Sequence, residues 1–218
     1  MTTDDPAILN QSLQQLGIDL EPVQLQQLEQ FCRLLWAWND KLNLTRHTDF
    51  ETFAKRDVVD SFELSKLLEA GEAVLDVGSG GGVPGVLLGI LRPDLEISLS
   101  ESVQKKVKAL AAIVDELGLP LAIHAGRAEA IMEDLRFDAL VARAVGPLWK
   151  ICQWFQPHWA SIGRILLIKG PRWVEERHEA RERGLLRSLE LRRVAAYPMA
   201  GTDSESVILQ LWPKGREK

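Results

Sequence analysis

Ala73-Val74-Leu75-Asp76-Val77-Gly78-Ser79-Gly80-Gly81-Gly82-Val83-Pro84-Gly85 is a short apolar run that ends at an acid, breaks into glycines, and gives way to an apolar helical pattern. Of the eight residues from Gly78 to Gly85, five are glycine. Glycine lets a backbone turn through positive φ and lie close to a ligand, at a large entropic cost on folding. A strand, a glycine-rich turn and a helix start together predict a nucleotide-type cofactor site at the carboxyl end of a parallel sheet.

Asp76 bears on which cofactor that is. Gly80-Gly81-Gly82-Val83-Pro84-Gly85 satisfies the G-x-G-x-x-G dinucleotide pattern, which places a pyrophosphate at the helix N-terminus. A carboxylate two residues before the first glycine would repel that anion. S-adenosylmethionine has no phosphate; it carries a sulfonium and an α-ammonium. The D-x-G-x-G reading therefore favours the methyl donor, with a nicotinamide-dependent oxidoreductase as the competing reading.

Composition sets broad bounds. The 218 residues can bury a substantial core, and the hydrophobic share of 46% is that of an ordinary globule. No apolar run is long enough to span a bilayer, and the N-terminus lacks a signal-peptide layout, so a cytoplasmic protein without membrane contact is expected. Cys32 and Cys152 are far apart and lack a histidine cluster, which predicts buried thiols, no disulfide and no metal. The formal net charge of −5 counts against a general nucleic-acid binder but leaves room for a local basic face.

Outward from the loop, the pattern alternates. Strands are predicted at 73–78, 95–100, 121–125, 137–143 and 163–169, with helices at 84–91, 103–117, 128–134 and 147–160. In the 103–117 helix, Val103, Val107, Leu110, Val114 and Leu117 are expected to face inward. A charged helix over 172–188 leads to two consecutive strand-like runs, 189–197 and 206–212, which predict an antiparallel closing hairpin. Before the loop come a weak helix within 1–20, a longer one from Pro22 with a stripe of Leu25, Leu28, Phe31, Leu35, Trp38 and Leu42, and a third over 53–68. Residues 1–70 read as a helical extension and 71–218 as the cofactor-binding domain. The expected fold is α/β, a Rossmann-like S-adenosylmethionine-dependent methyltransferase with a mostly parallel sheet and a C-terminal hairpin.

An ordered set of motifs carries a resemblance. They are Trp38-Asn39-Asp40-Lys41-Leu42-Asn43-Leu44-Thr45, Asp60-Ser61, the 76–85 loop, Arg92-Pro93, Glu101-Ser102 with Lys105-Lys106, Gly126-Arg127-Ala128-Glu129, Arg143-Ala144-Val145 and Lys169-Gly170-Pro171. In this order the chain resembles the small-subunit ribosomal RNA methyltransferase G family, also called glucose-inhibited division protein B. The resemblance implies methylation of N7 of one guanine in small-subunit (16S) ribosomal RNA, with naked RNA or the 30S particle as partner, by a monomer that needs no metal. It implies donor contacts from Asp76, Gly78, Gly80, Val83, Glu101, Ala128, Glu129 and Arg143, and RNA or guanine contacts from Asn43, Arg56, Arg127 and Lys169. Arg143 and Lys169 are the candidate catalytic residues, as groups that orient the guanine.

The chemistry agrees with those roles. Guanine N7 carries a lone pair and no proton, so in-line attack on the methyl group needs no general base. Catalysis then rests on holding N7 about 3 Å from the methyl carbon with water excluded. A strand-end acid such as Glu101 suits a ribose diol, although a solvated acid would look the same. Arg143 reads either as a cofactor contact or as a buried ion pair, and Trp173 as base stacking or as helix packing.

Three positions depart from the family pattern. Asp57 stands where histidine usually follows Arg56, Glu205-Ser206 precede Val207 in place of Arg-His, and the basic tail shrinks to Pro213–Lys218. These departures are read as lying together on the RNA side, where acids would weaken phosphate contacts. They motivate a further alternative, a non-catalytic RNA or ribosome adaptor that retains cofactor binding.

Overall fold

The computed structural model describes residues 5–199 and 201–216. The first four residues of the predicted 1–20 helix and the last two of the tail lie outside them. Seven strands form one sheet in the order β3-β2-β1-β4-β5-β7-β6. They are β1 (Ala73–Val77), β2 (Glu96–Glu101), β3 (Ala122–Ala125), β4 (Phe137–Arg143), β5 (Ile162–Lys169), β6 (Leu189–Pro198) and β7 (Glu205–Pro213). The first five pair in parallel; β7 runs antiparallel to both β5 and β6. The consecutive runs after residue 188 thus form the closing hairpin.

Alternation along the central strands sends side chains to opposite faces. Val74, Ala139, Val141, Leu166 and Ile168 enter one core cluster, while Leu75, Val77, Leu140, Ala142, Ile165 and Leu167 enter the other. The first face is covered by α1 (Pro6–Gln15), α2 (Pro22–Leu42), α3 (Phe50–Phe53), α4 (Val59–Ser65), α5 (Gly85–Leu91) and α6 (Gln104–Glu116). The second is covered by α7 (Ala128–Asp134), α8 (Leu148–Phe155) and α9 (Trp173–Glu182). Leu9, Leu13, Leu28, Phe31 and Leu35 of the extension sit in the same cluster as Val74, Ile97 and Val86. The helices before β1 therefore share one core with the sheet.

Several element boundaries differ from the sequence reading for identifiable reasons. The helix predicted over 53–68 runs without a break from Phe50 to Ser65, starting three residues earlier, ending three sooner and winding through a π turn at Ala54–Val58 between α3 and α4. The 147–160 helix stops at Phe155 and tightens into a 3₁₀ segment, Gln156–Ser161, where Pro157 supplies no N–H. The 172–188 helix ends at Glu182 because Gly184 takes φ +72°, a helix-terminating conformation. Val103 does not face inward; it caps α6 and is 48% exposed. Asn43 ends α2 at φ 48°, a left-handed position that asparagine tolerates.

Candidate functional site

The glycine-rich loop is braced from beneath by two acids. The buried Asp76 accepts the Gly85 backbone N–H through Oδ2 at 3.1 Å. Ser79 and Ser100 hydroxyls both donate to its carbonyl, at 3.1 and 3.0 Å. Glu101, at the end of β2, accepts Gly80 N–H at 3.1 Å and Val103 N–H at 2.7 Å. Gly85 has no room for a side chain, since a Cβ there would lie 2.3 Å from Leu99 and 2.6 Å from Asp76 Oδ2. The loop also packs against the extension: a Cβ at Gly81 would meet Leu35 and Leu44 at 3.1 Å.

Above the loop lies a pocket of about 210 Å³ at the carboxyl ends of β1 to β4, lined by residues of 77–78, 100–102, 126–129, Val145 and Trp154. Gly78 forms its floor at φ +67°, and Val145 closes over it: a Cβ at Gly78 would stand 3.1 Å from a Val145 methyl. Of the expected site residues, Gly78, Arg127, Ala128 and Glu129 line this pocket. Asp76, Gly80, Val83, Glu101, Arg143, Lys169, Asn43 and Arg56 do not. Asp76 and Glu101 instead hold the loop's shape, and Val83 packs toward the core. Val145 and Gly126 stand inside the Arg143–Val145 and Gly126–Glu129 motifs, so the sequence already marked both. Trp154 carried no motif, and only the position of α8 after β4 brings it to the pocket.

Arg143, the last residue of β4, is held by two carboxylates. Its Nη2 lies 2.6 Å from Asp57 Oδ1 and its Nη1 donates to Asp60 Oδ2 at 3.1 Å. The other oxygen of each acid meets a ring donor. His47 Nδ1 is 2.8 Å from Asp57 Oδ2, and Tyr197 donates its hydroxyl to Asp60 Oδ1 at 2.8 Å. Burial pushes the Asp57 carboxyl up, but His47 and Arg143 outweigh it and hold that group below its usual value. Burial pulls the Arg143 guanidinium down, and the two carboxylates more than reverse that. Burial, with Asp60 beside it, pushes the Tyr197 phenol up.

Lys169, at the end of β5, donates to the Gly146 carbonyl at 2.6 Å and pairs with Glu176 Oε2 at 2.8 Å. The same Glu176 oxygen accepts Leu148 N–H at 2.8 Å. Arg143 and Lys169 thus grip the two ends of the segment that carries Val145. The buried ion pair weighed for Arg143 is what its guanidinium forms.

The three departures do not share a side. Asp57 is 1% exposed and belongs to the Arg143 cluster, so it presents no acid to a substrate. Glu205 is exposed at the start of β7, on the pocket edge, and Ser206 is buried behind it. Arg216 of the tail donates to the Ile162 and Trp159 carbonyls, at the opposite edge of the sheet. Trp173 packs against the second core cluster with Arg177 5.0 Å over its ring, so helix packing accounts for it. Cys32 and Cys152 are buried free thiols; burial raises both, Cys152 to about 12.

The residues fit S-adenosylmethionine. Gly78 offers bare backbone that a side chain would fill, and Glu129 supplies a pocket acid. Beneath the loop, Asp76 Oδ1 is buried without a hydrogen-bond partner. Among solved structures, a variant of MtNAS in complex with S-adenosylmethionine matches with TM-score 0.56 at 15% identity, over 86% of this chain and 72% of that one. Precorrin-6y C5,15-methyltransferase from Geobacter metallireducens matches with TM-score 0.53 at 13% identity, over 80% and 95%. The fold is that of the Rossmann-like S-adenosylmethionine-dependent methyltransferases.

Sequence comparison narrows the class. The sequence profile for rRNA small subunit methyltransferase G matches residues 24–203. The ribosomal RNA small subunit methyltransferase G of Rhodopirellula baltica is 48% identical over 194 residues, covering 89% of this chain and 84% of its relative. That of Halorhodospira halophila is 37% identical over 189 residues, covering 86% and 89%. This chain belongs to the rRNA small subunit methyltransferase G family. Its place there sets aside the oxidoreductase reading.

Proposed function

We propose that this protein transfers the methyl group of S-adenosylmethionine to N7 of one guanine in small-subunit ribosomal RNA. The observation that carries the reading is the pocket over Gly78, placed at the carboxyl edge of the sheet in a chain that matches the family over residues 24–203. When bound, the donor supplies the electrophilic methyl on a sulfonium. Gly78, Ala128, Glu129, Val145 and Trp154 would hold it, while Asp76 and Glu101 keep the loop in shape beneath.

The protein's own task is placement. N7 is an unprotonated lone pair, so no side chain has to remove a proton, and no Lewis acid is required to generate the nucleophile. Trp154 and Val145 exclude water from one side of the pocket. Arg127, exposed at its rim, is assigned to the RNA backbone together with Asn43 and Arg56 at the end of α2 and in the π turn. Arg143 and Lys169 act on the guanine through the segment they grip. We place the protein in the cytoplasm as a monomer working without a metal; among the described residues no helix is long and apolar enough to cross a membrane.

The test is transfer of labelled methyl from S-adenosylmethionine to small-subunit particles from cells lacking this protein, with the modified base mapped by N7-specific strand cleavage. A single labelled guanine is expected. Donor binding without transfer to naked RNA or to particles would favour the adaptor reading.

A further inference from the structure

The segment from Arg143 to Leu148 brings Val145 to the pocket, yet little of it is regular structure. Ala144 sits at φ 57°, a left-handed conformation that is strained for a non-glycine residue and persists only where its surroundings impose it. That turn aims Val145 at Gly78. What imposes it can be traced at both ends. At the first, Arg143 is fixed by Asp57 and Asp60. At the second, Lys169 holds the Gly146 carbonyl while Glu176 holds both Lys169 and the Leu148 N–H. Carbonyl, ammonium, carboxylate and amide close a ring around Pro147.

Glu176 has a special place in that ring. It sits in the first turn of α9, a mostly charged helix whose one buried residue is Ala180. Its neighbours Glu175 and Glu182 are exposed, whereas the Glu176 side chain is 23% exposed beside a Lys169 that is 10% exposed. A charge-assisted bond in so dry a setting is stronger than a surface pair and fixes direction as well as distance.

We infer that Glu176 is a positioning residue of the donor pocket: acting through Lys169 and Leu148, it holds the 143–148 segment so that Val145 closes over the donor. This rests on the reading of the pocket as the methyl-donor site.

The test measures binding of S-adenosylhomocysteine to the full chain by calorimetry, alongside donor KM, kcat at saturating donor, and Tm. Glu176→Ala is expected to weaken S-adenosylhomocysteine binding and raise donor KM about tenfold, with kcat changed less than threefold. Glu176→Gln retains an acceptor oxygen for both partners and should recover most of the affinity. Glu175→Ala should match the unsubstituted chain. A lowered Tm with unchanged donor affinity would mean that Glu176 is only structural and would overturn the inference. Unchanged affinity and unchanged Tm in Glu176→Ala would overturn it equally. If the unsubstituted chain itself fails to bind S-adenosylhomocysteine, the donor-site reading falls, and this inference with it.

Discussion

Burial pushes the Asp76 carboxyl from its ordinary range up to about 7, against Ser79, the Gly85 N–H and Arg143, which all pull it down. An aspartate in the unfolded chain ionises near pH 4, at about 3.9. Between those two values the folded protein keeps a proton that the unfolded chain has released. The stability associated with the neutral carboxyl is therefore complete below about pH 4 and is lost as the pH rises through about 7. Asp76→Asn keeps an acceptor for Gly85 and removes the titration. The variant should gain on the parent by about 2–3 kcal/mol between pH 5 and pH 8, read from urea unfolding at the two values. A difference that does not change with pH would mean that Asp76 is already ionised in the folded chain. The sequence located this acid beside the loop; its role beneath the loop depends on packing that brings Leu99 and Gly85 together.

The π turn at Ala54–Val58 is the element that makes the Arg143 cluster. Its wider winding carries Asp57 to the same partner as Asp60, three residues on, while Ser61 returns a hydroxyl to the Asp57 carbonyl at 2.8 Å. Breaking one arm of a buried pair leaves an uncompensated charge, so Asp57→Ala should cost about 3 kcal/mol in unfolding free energy. With Asp57 gone, a further His47→Ala should cost much less than His47→Ala alone, because the two act as one contact; a double-mutant cycle measures this. Strict additivity would show that His47 and Asp57 do not support each other. Little of this was legible in the sequence. The near-continuous apolar runs of Val74 to Val77 and Leu140 to Ala142 exposed the strands, because both sheet faces are buried. A π turn has no pattern of its own, and a loop histidine meets an aspartate ten positions later only through the fold. Asp57 therefore read as a lost surface cation when it is an interior partner.

Across the whole molecule, a net charge of −5 has to coexist with a polyanionic substrate, so the distribution of cations matters more than their sum. Two basic regions are candidates. One borders the pocket, where Arg127 and Lys105 are exposed on the carboxyl edge of the sheet. The other surrounds a cleft of about 310 Å³ at the opposite edge, lined by Arg181, Arg187 and Lys214 with Glu190. The reacting nucleotide has to reach the donor, so the phosphates flanking it must run along the carboxyl edge. Contacts there position the strand and carry the salt dependence. Arg127→Ala, assayed at saturating donor, should raise KM for the small-subunit particle several-fold and lower the slope of log affinity against log salt by about 1. Arg187→Ala should leave both quantities unchanged, since its cleft lies a full strand length from the pocket. The reverse result would place the RNA backbone across the far edge, with the reacting nucleotide reaching over the sheet, and would require a larger footprint on the particle than the pocket edge alone provides.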